Sequence, residues 1–287
     1  MQRRAFWLFT GPSVVLMLAL MVFPVVFAVQ LSLHRVLLRD LRTWTFIGLD
    51  NYREVLADPA FWSALRFTIQ YVATTVPIQM LLGLSIALLL DRIRRGRSIY
   101  LAALLMPFIV TPVVGTLLYR DLFTRGGLLA FLFELVTGET FVVTASNARL
   151  LIMIHAVWFT TPFAMIVYLA GLQTLPQERL EAAAIDGATF FQSLRNVVLP
   201  HLRSLTVFIG LISVMDAYRT FDNVFVFAGS RFSEAHTLQV YNFYVALSSD
   251  IGRVGKGHAI AILNVIGIFI VLIPFLVRTW REQLAER

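Results

Sequence analysis

Apolar residues run through this chain in six long stretches: Trp7–Leu31, Leu65–Leu90, Ile99–Tyr119, Leu150–Leu172, Leu205–Phe227 and His258–Val277. Crossing the ~30 Å hydrocarbon layer of a bilayer takes about 20 helical residues. Each stretch is of that order, so the pattern predicts an all-α, polytopic membrane protein of about six transmembrane helices. The fifth is the least typical, because Asp216, Arg219 and Asp222 interrupt it. Between the fourth and fifth lies a compact polar excursion, LPQERLEAAAIDGATFFQSLRNVVLP, from Leu175 to Pro200. Thr174 and Gln177 have the spacing of a capping box, and Pro176 is tolerated in a first turn. A short helix carrying Glu178 to Ile185 is therefore expected. Gly187 should break it, and a second short helix should run from Thr189 to Val198 with Phe190, Leu194 and Val197 on one face. Pro200 marks the return to the next apolar run.

Charge fixes the expected orientation. Arg3 and Arg4, the cluster Arg92, Arg94, Arg95 and Arg97, then Arg195 and Arg203, then Arg278, Arg281 and Arg287, all fall on one side of a six-span chain. Cytoplasmic loops carry the excess of Lys and Arg, so both termini and the 175–204 excursion are expected in the cytoplasm. The other loops, roughly 32–64, 120–149 and 228–257, carry mixed charge and face outward. The same placement explains the net charge of +7 without nucleic acid. With 58% hydrophobic residues and a mean hydropathy of +0.77, the chain is far from a soluble domain. It has no cysteine, which excludes disulfides and thiolate chemistry. The first apolar run is too long for a cleaved leader and is expected to stay as a span.

Within the excursion, Ala182, Ala183 and Ala184 strip bulk from the first helix and permit close approach of another backbone. Glu181 and Asp186 offer acceptors to Arg or Lys of a partner. Local physics alone allows either a coupling projection or an ordinary solvated hairpin. The segment resembles the signature of ABC importer permease subunits: Glu181, Ala182 and Ala183, then Gly187, then Val197 where Ile is usual, followed by Leu199 and Pro200. That resemblance implies two coupling helices docked on a cytoplasmic ATPase, with the glutamate facing the ATPase and Gly187 forming the bend. The first span, from LFTGPSVV, and the stretch TFIGLDNYREVLADPAFWSALRFTIQYV from Thr45 are similar to the sugar-type members, relatives of maltose and glycerol-phosphate permeases. Two departures stand out: Arg66 where Asn is frequent, and Ala228, Gly229 and Ser230 where Gly-Gly-Pro follows the fifth span.

The resemblance implies a single permease domain over 1–287 with its coupling loop at about 174–203. It also implies an ATPase dimer holding ATP and Mg, a second and non-identical permease, an extracytoplasmic solute-binding protein, and surrounding inner-membrane lipid. The cargo would be an oligosaccharide, disaccharide or polyol. Arg219 is the one arginine away from the end of a span, which favours a neutral sugar over a phosphate.

Charged groups inside spans cost about 2.5–3.5 kcal/mol on insertion scales, so they face cavities or partners. Asp216, Tyr218, Arg219, Asp222 and Asn223, interleaved with Phe221 and Phe225, offer the hydrogen-bonding groups and apolar faces that a sugar needs. Internal pairing of Asp216 with Arg219 at i, i+3 is the alternative. In span four, Trp158 and Thr161 are candidates for the same path, beside His155 and Thr160, and Pro162 can open the helix locally. A lone Trp in the outer half of a span is more often an interfacial or packing residue than a substrate contact. Gln70, Gln79 and Asn264 are weaker candidates. No G-x-x-x-x-G-K-[ST], H-E-x-x-H or nucleophile elbow occurs, and GRVGKGH at Gly252–His258 has the wrong spacing. A non-catalytic subunit is therefore expected. The rival from another class is an ion-coupled carrier acting without an ATPase, with Asp216 and Asp222 as its coupling sites.

Overall fold

The computed structural model describes residues 2–93, 95–124, 126–248 and 252–285. Arg94 and Arg287, two of the flanking charges, lie outside the described residues. In chain order, α1 covers Gln2–Ser32, followed by a hairpin of β1 (His34–Leu37) and β2 (Asp40–Phe46) and by α2 (Asp50–Ala57). Then come α3 (Pro59–Arg92), α4 (Arg97–Ile109), α5 (Pro112–Phe123), α6 (Leu128–Thr137) and α7 (Ala145–Gln173). The central bend holds α8 (Gln177–Ile185), α9 (Phe190–Ser193), a π-turn at Leu194–Val198 and α10 (Leu199–His201). Helices α11 (Arg203–Tyr218), α12 (Asp222–Ala228), α13 (Leu238–Phe243) and α14 (Val254–Ala285) complete the chain.

Among the described residues five helical segments are long and apolar enough to cross a membrane, and a sixth is added if α4 and the segment Pro112–Thr137, which holds α5 and α6, form one bent span. The third and fifth apolar stretches are thus not the straight helices that the hydropathy pattern predicts. Helix α4 stops at Ile109, Val110 and Thr111 are extended, and the axes of Arg97–Ile109 and Pro112–Thr137 differ by 96°. Pro112 causes the break: it disfavours helical geometry at Thr111 and restarts a helix at its own first turn. In the fifth stretch the helix ends at Tyr218 and resumes at Asp222. Pro162 does not open α7, which is helical from Ala145 to Gln173. The hydroxyls of Thr160 and Thr161 donate to the carbonyls of Ala156 and Val157, at 2.8 and 2.6 Å, and support the turn before the proline.

The residues divide into two compact units. One comprises Met1–Trp62 and Leu238–Phe269, the other Ser63–Thr237 and Ile270–Arg287. In the first, the antiparallel hairpin pairs His34 with Phe46, and buried Asn51 donates to the carbonyls of Ser32 and His34. Asp58 accepts from the Tyr241 hydroxyl at 2.6 Å and lies 3.6 Å from Lys256, while Arg253 bonds Glu54. In the second unit, α3 and α7 pack closely: a Cβ on Gly83 would lie 2.7 Å from the Cβ of Ala164. Their shared core, including Ala87, Leu90, Met165, Tyr168 and Leu172, takes in Val198 and Leu202 from the end of the central bend.

Candidate functional site

Two features of the second unit carry chemistry. The first is a cavity of about 530 Å³. Tyr71, Thr75 and Gln79 line it from α3, and His155, Phe159 and Thr160 from α7. Both broken helices border it: Phe108 and Pro112 flank one break, and Ser213, Asp216, Arg219, Asp222 and Asn223 come from around the other. Irregular backbone at membrane depth is tolerated where it lines a polar cavity, and such breaks are where transporters place solute sites.

The cavity is polar in a specific way. Asp216 accepts from Arg219 at 2.7 Å, so the expected i, i+3 pair forms, and it does so on the cavity wall. Asn223 donates to the Tyr71 hydroxyl at 3.0 Å and accepts from the Thr220 hydroxyl at 2.7 Å, tying α3 to the α11–α12 break. The Thr160 hydroxyl, whose proton goes to the Ala156 carbonyl, is also in hydrogen-bond contact with the Gln79 side-chain amide. His155 is 1% exposed, yet neither ring nitrogen has a hydrogen-bond partner among the described residues, and the same holds for Ser213 Oγ. Buried polar atoms are nearly always paired, so these orphans, on residues that line the cavity, mark polar groups still without a partner beside it. Phe108, Phe159, Phe163 and Phe221 supply apolar surface beside them. The arrangement can hold a neutral polyhydroxylated molecule, whose hydroxyl edges and CH faces match donors, acceptors and rings.

Of the residues singled out from sequence, Asp216, Arg219, Asp222 and Asn223 converge on this cavity. Trp158 is 49% exposed and Tyr218 2% exposed, and neither lines it. Thr161 is buried and bonded to its own helix. Gln79 belongs to the wall, whereas Gln70 is exposed and Asn264 lies in the other unit. The α3 stripe of Tyr71 and Thr75 was missed. Its signal was legible: Tyr71, Thr75 and Gln79 recur every four residues along an apolar helix and so share one face.

The second feature is the central bend. No residue of α8 is buried, and Ile185 and Phe191 are 86% and 76% exposed. Exposed apolar side chains next to the acids Glu181 and Asp186 form a surface suited to a protein partner. Gly187 has φ +77° and completes a Schellman motif. Its N–H donates to Ala184 and that of Ala188 to Ala183. The capping box expected at Thr174 and Gln177 is absent. Thr174 donates to the Gly171 carbonyl and Gln177 bonds Glu181, because Pro176 fills the N-cap position. A capping box forms instead at Thr189 and Gln192. The second helix runs unbroken from Phe190 to His201, but a π-turn at Leu194–Val198 widens its ladder ahead of Pro200 and places Val198, rather than Val197, in the core. Arg92 stacks 4.8 Å from the Phe190 ring and fixes the bend against the end of α3. Leu199 and Pro200 form the last turn before α11.

A membrane bundle with a polar cavity at its helix breaks and an exposed helical bend has the anatomy of a solute permease. The chain belongs to the family described as the binding-protein-dependent transport system inner membrane component, which it matches over residues 68–287. It is 32% identical to the trehalose transport system permease protein SugA of Mycobacterium tuberculosis, over 91% of this chain and 84% of that one. It is 31% identical to the trehalose/maltose transport system permease protein MalF of Thermococcus litoralis, over 92% and 88%. A crystal structure of a bacterial ABC transporter involved in the import of alginate has the same fold, with a TM-score of 0.83 and 17% identity over 97% of this chain and 96% of that one.

Proposed function

We propose that this chain is a non-catalytic permease subunit that moves a disaccharide or short oligosaccharide into the cytoplasm, driven by ATP and Mg held on a separate ATPase dimer. The observation that carries the reading is the exposed bend from Gln177 to His201, shaped by the Schellman glycine at Gly187. Glu181, Ala182, Ala183, Asp186 and Gly187 form the coupling surface, with Leu199 and Pro200 at its root. Both termini and this bend lie in the cytoplasm, because the arginines gather at those ends of the spans. The whole chain acts as one permease domain beside a second, non-identical permease. A solute-binding protein docks on the outer side. Only 6% of the most apolar window of the first span, Phe9–Ser32, is buried, leaving an apolar surface for lipid.

The sugar assignment draws on the named cargo of the two relatives and on the cavity itself, where donors, acceptors and aromatic rings alternate. Asp216, Arg219, Asp222 and Asn223 are the proposed sugar contacts, together with His155 and Ser213. Trp158, Thr161 and Tyr218 support the path through packing around it. A conformational change needs contacts that differ between its two states. Closure of the ATPase dimer supplies them by moving the bend, whose root in Val198 and Leu202 is packed into the α3–α7 core. An ion-coupled carrier is the weaker reading, since Asp216 is bonded to Arg219 on the cavity wall.

The test is purification of the tagged chain from its native membrane, followed by sugar-stimulated ATP hydrolysis of what co-purifies. An ATPase, a second permease and a binding protein should accompany it, and Glu181→Lys should uncouple hydrolysis from sugar. Uptake by the isolated chain driven by an ion gradient would refute the reading.

A further inference from the structure

A second cavity, of about 910 Å³, lies in the same unit. Its walls include Arg120 and Phe123 from α5, Phe141 from the loop before α7, Phe227 from α12, and Arg231 and Phe232 beyond it. The two cavities follow one another along the same two helices. Pro112 borders the first, and Arg120 the second, about 12 Å further along α5 at 1.5 Å per residue. Asp222 and Asn223 border the first, and Val226 to Ala228 the second. Arg120 donates to the Val226 carbonyl at 3.0 Å and holds α5 against α12.

Tyr119 stands between them. Its ring lies 4.9 Å from that of His155, on the wall of the first cavity. It lies 5.0 and 6.2 Å from Phe123 and Phe227, on the walls of the second. Its hydroxyl is buried and, like both nitrogens of His155, has no hydrogen-bond partner among the described residues.

We infer that the second cavity is an additional carbohydrate subsite, on the outer side of the first, which holds the trailing sugar units of an oligosaccharide while its leading unit occupies the first. This rests on the sugar-importer reading above. Among the described residues the second cavity has two arginines and no acidic residue on its walls, so it offers donors to hydroxyl and ring oxygens and four phenylalanine faces to CH surfaces. The Tyr119 hydroxyl and His155 nitrogens are buried in the wall between the two cavities, and a polyhydroxylated chain spanning both would bring them the partners they lack. A protein loop seated only at the mouth would leave them unpaired.

The absence of cysteine from the chain makes the test direct. Ala217→Cys reports on the first cavity and Ser230→Cys on the second, with Val142→Cys, at an exposed position, as the alternative reporter if Ser230→Cys does not assemble. Each is introduced into the complete transporter in lipid vesicles, with its ATPase, second permease and binding protein, and thiol labelling is timed with trehalose or maltotetraose. At ten times the half-saturating concentration a bound sugar should slow labelling about tenfold. Trehalose should protect Ala217→Cys alone, and maltotetraose both positions. Protection at Ala217→Cys with none at the second cavity overturns the subsite and leaves the importer reading standing. Protection at neither position by either sugar refutes the sugar reading, and the subsite with it. If the sugar-free binding protein alone protects Ser230→Cys as fully as maltotetraose does, the cavity is a protein-docking surface and the inference fails.

Discussion

Gly187 holds the bend between α8 and α9 at φ +77°, and beyond its chain neighbours no atom of the described residues lies within 4 Å of where its Cβ would be. Substitutions there therefore test backbone conformation without steric interference. Asparagine visits the left-handed region readily and should cost little. Alanine keeps both Schellman hydrogen bonds but carries the left-handed penalty of about 1–2 kcal/mol. That is enough to lower the population of the bent form roughly 5–30-fold. Proline is fixed near φ −65° and has no N–H, so it also loses the bond to Ala184, a further ~0.5–1.5 kcal/mol, and cannot form the bend at all. The assay is sugar-stimulated ATP hydrolysis by the assembled transporter, with assembly checked by co-purification. Coupling should decline in the order Gly, Asn, Ala, Pro, with Gly187→Pro assembled in the membrane yet uncoupled. Normal sugar-stimulated turnover in Gly187→Pro would show that the bend does not transmit the ATPase stroke.

Gly83→Leu should strain the α3–α7 contact, where even a Cβ would meet Ala164 and the Met165 nitrogen at 2.7 and 2.9 Å. Overpacking of this kind costs about 1–3 kcal/mol, read as a lower melting temperature of the purified complex. Asn223→Ala removes the shared partner of the Tyr71 and Thr220 hydroxyls, which still contact each other, at a cost of about 0.5–1.5 kcal/mol per lost hydrogen bond. Uptake should fall while co-purification of the partners persists. Burial works against the Asp58 carboxylate, but the Tyr241 hydroxyl, the Ala60 N–H and the Lys256 ammonium together hold its pKa below the usual 3.8. A depressed carboxylate stabilises the fold above its unfolded pKa, and that contribution is lost as pH falls through the folded value. Hydrogen exchange over 50–62 and 238–257 should therefore show a wild-type advantage over Asp58→Asn that is constant above about pH 3.8 and shrinks below it.

Much of this molecule was legible in its sequence, because a bilayer imposes long uninterrupted apolar runs that a one-dimensional pattern records directly. The six stretches, the polar bend between the fourth and fifth, and the break at Gly187 all follow from residue type and local spacing. So does the Asp216–Arg219 pair, since three residues along a helix bring side chains together whatever surrounds them. What depends on a distant partner was not legible. Thr174 had the spacing of a cap, yet Pro176 takes that position and Thr174 turns back to Gly171. Val198 displaces Val197 from the core because the π-turn before Pro200 shifts the facing of every later residue. Trp158, attractive as a sugar platform, does not line the cavity, while Tyr71 and Ser213 join its wall only when α3, α7 and the broken fifth span are brought together. Tyr119 between two cavities had no local signature at all. Residue spacing determined which elements form and where the chain bends. Tertiary packing decided which polar groups meet inside the bundle, because a cavity is made of faces from helices far apart in sequence.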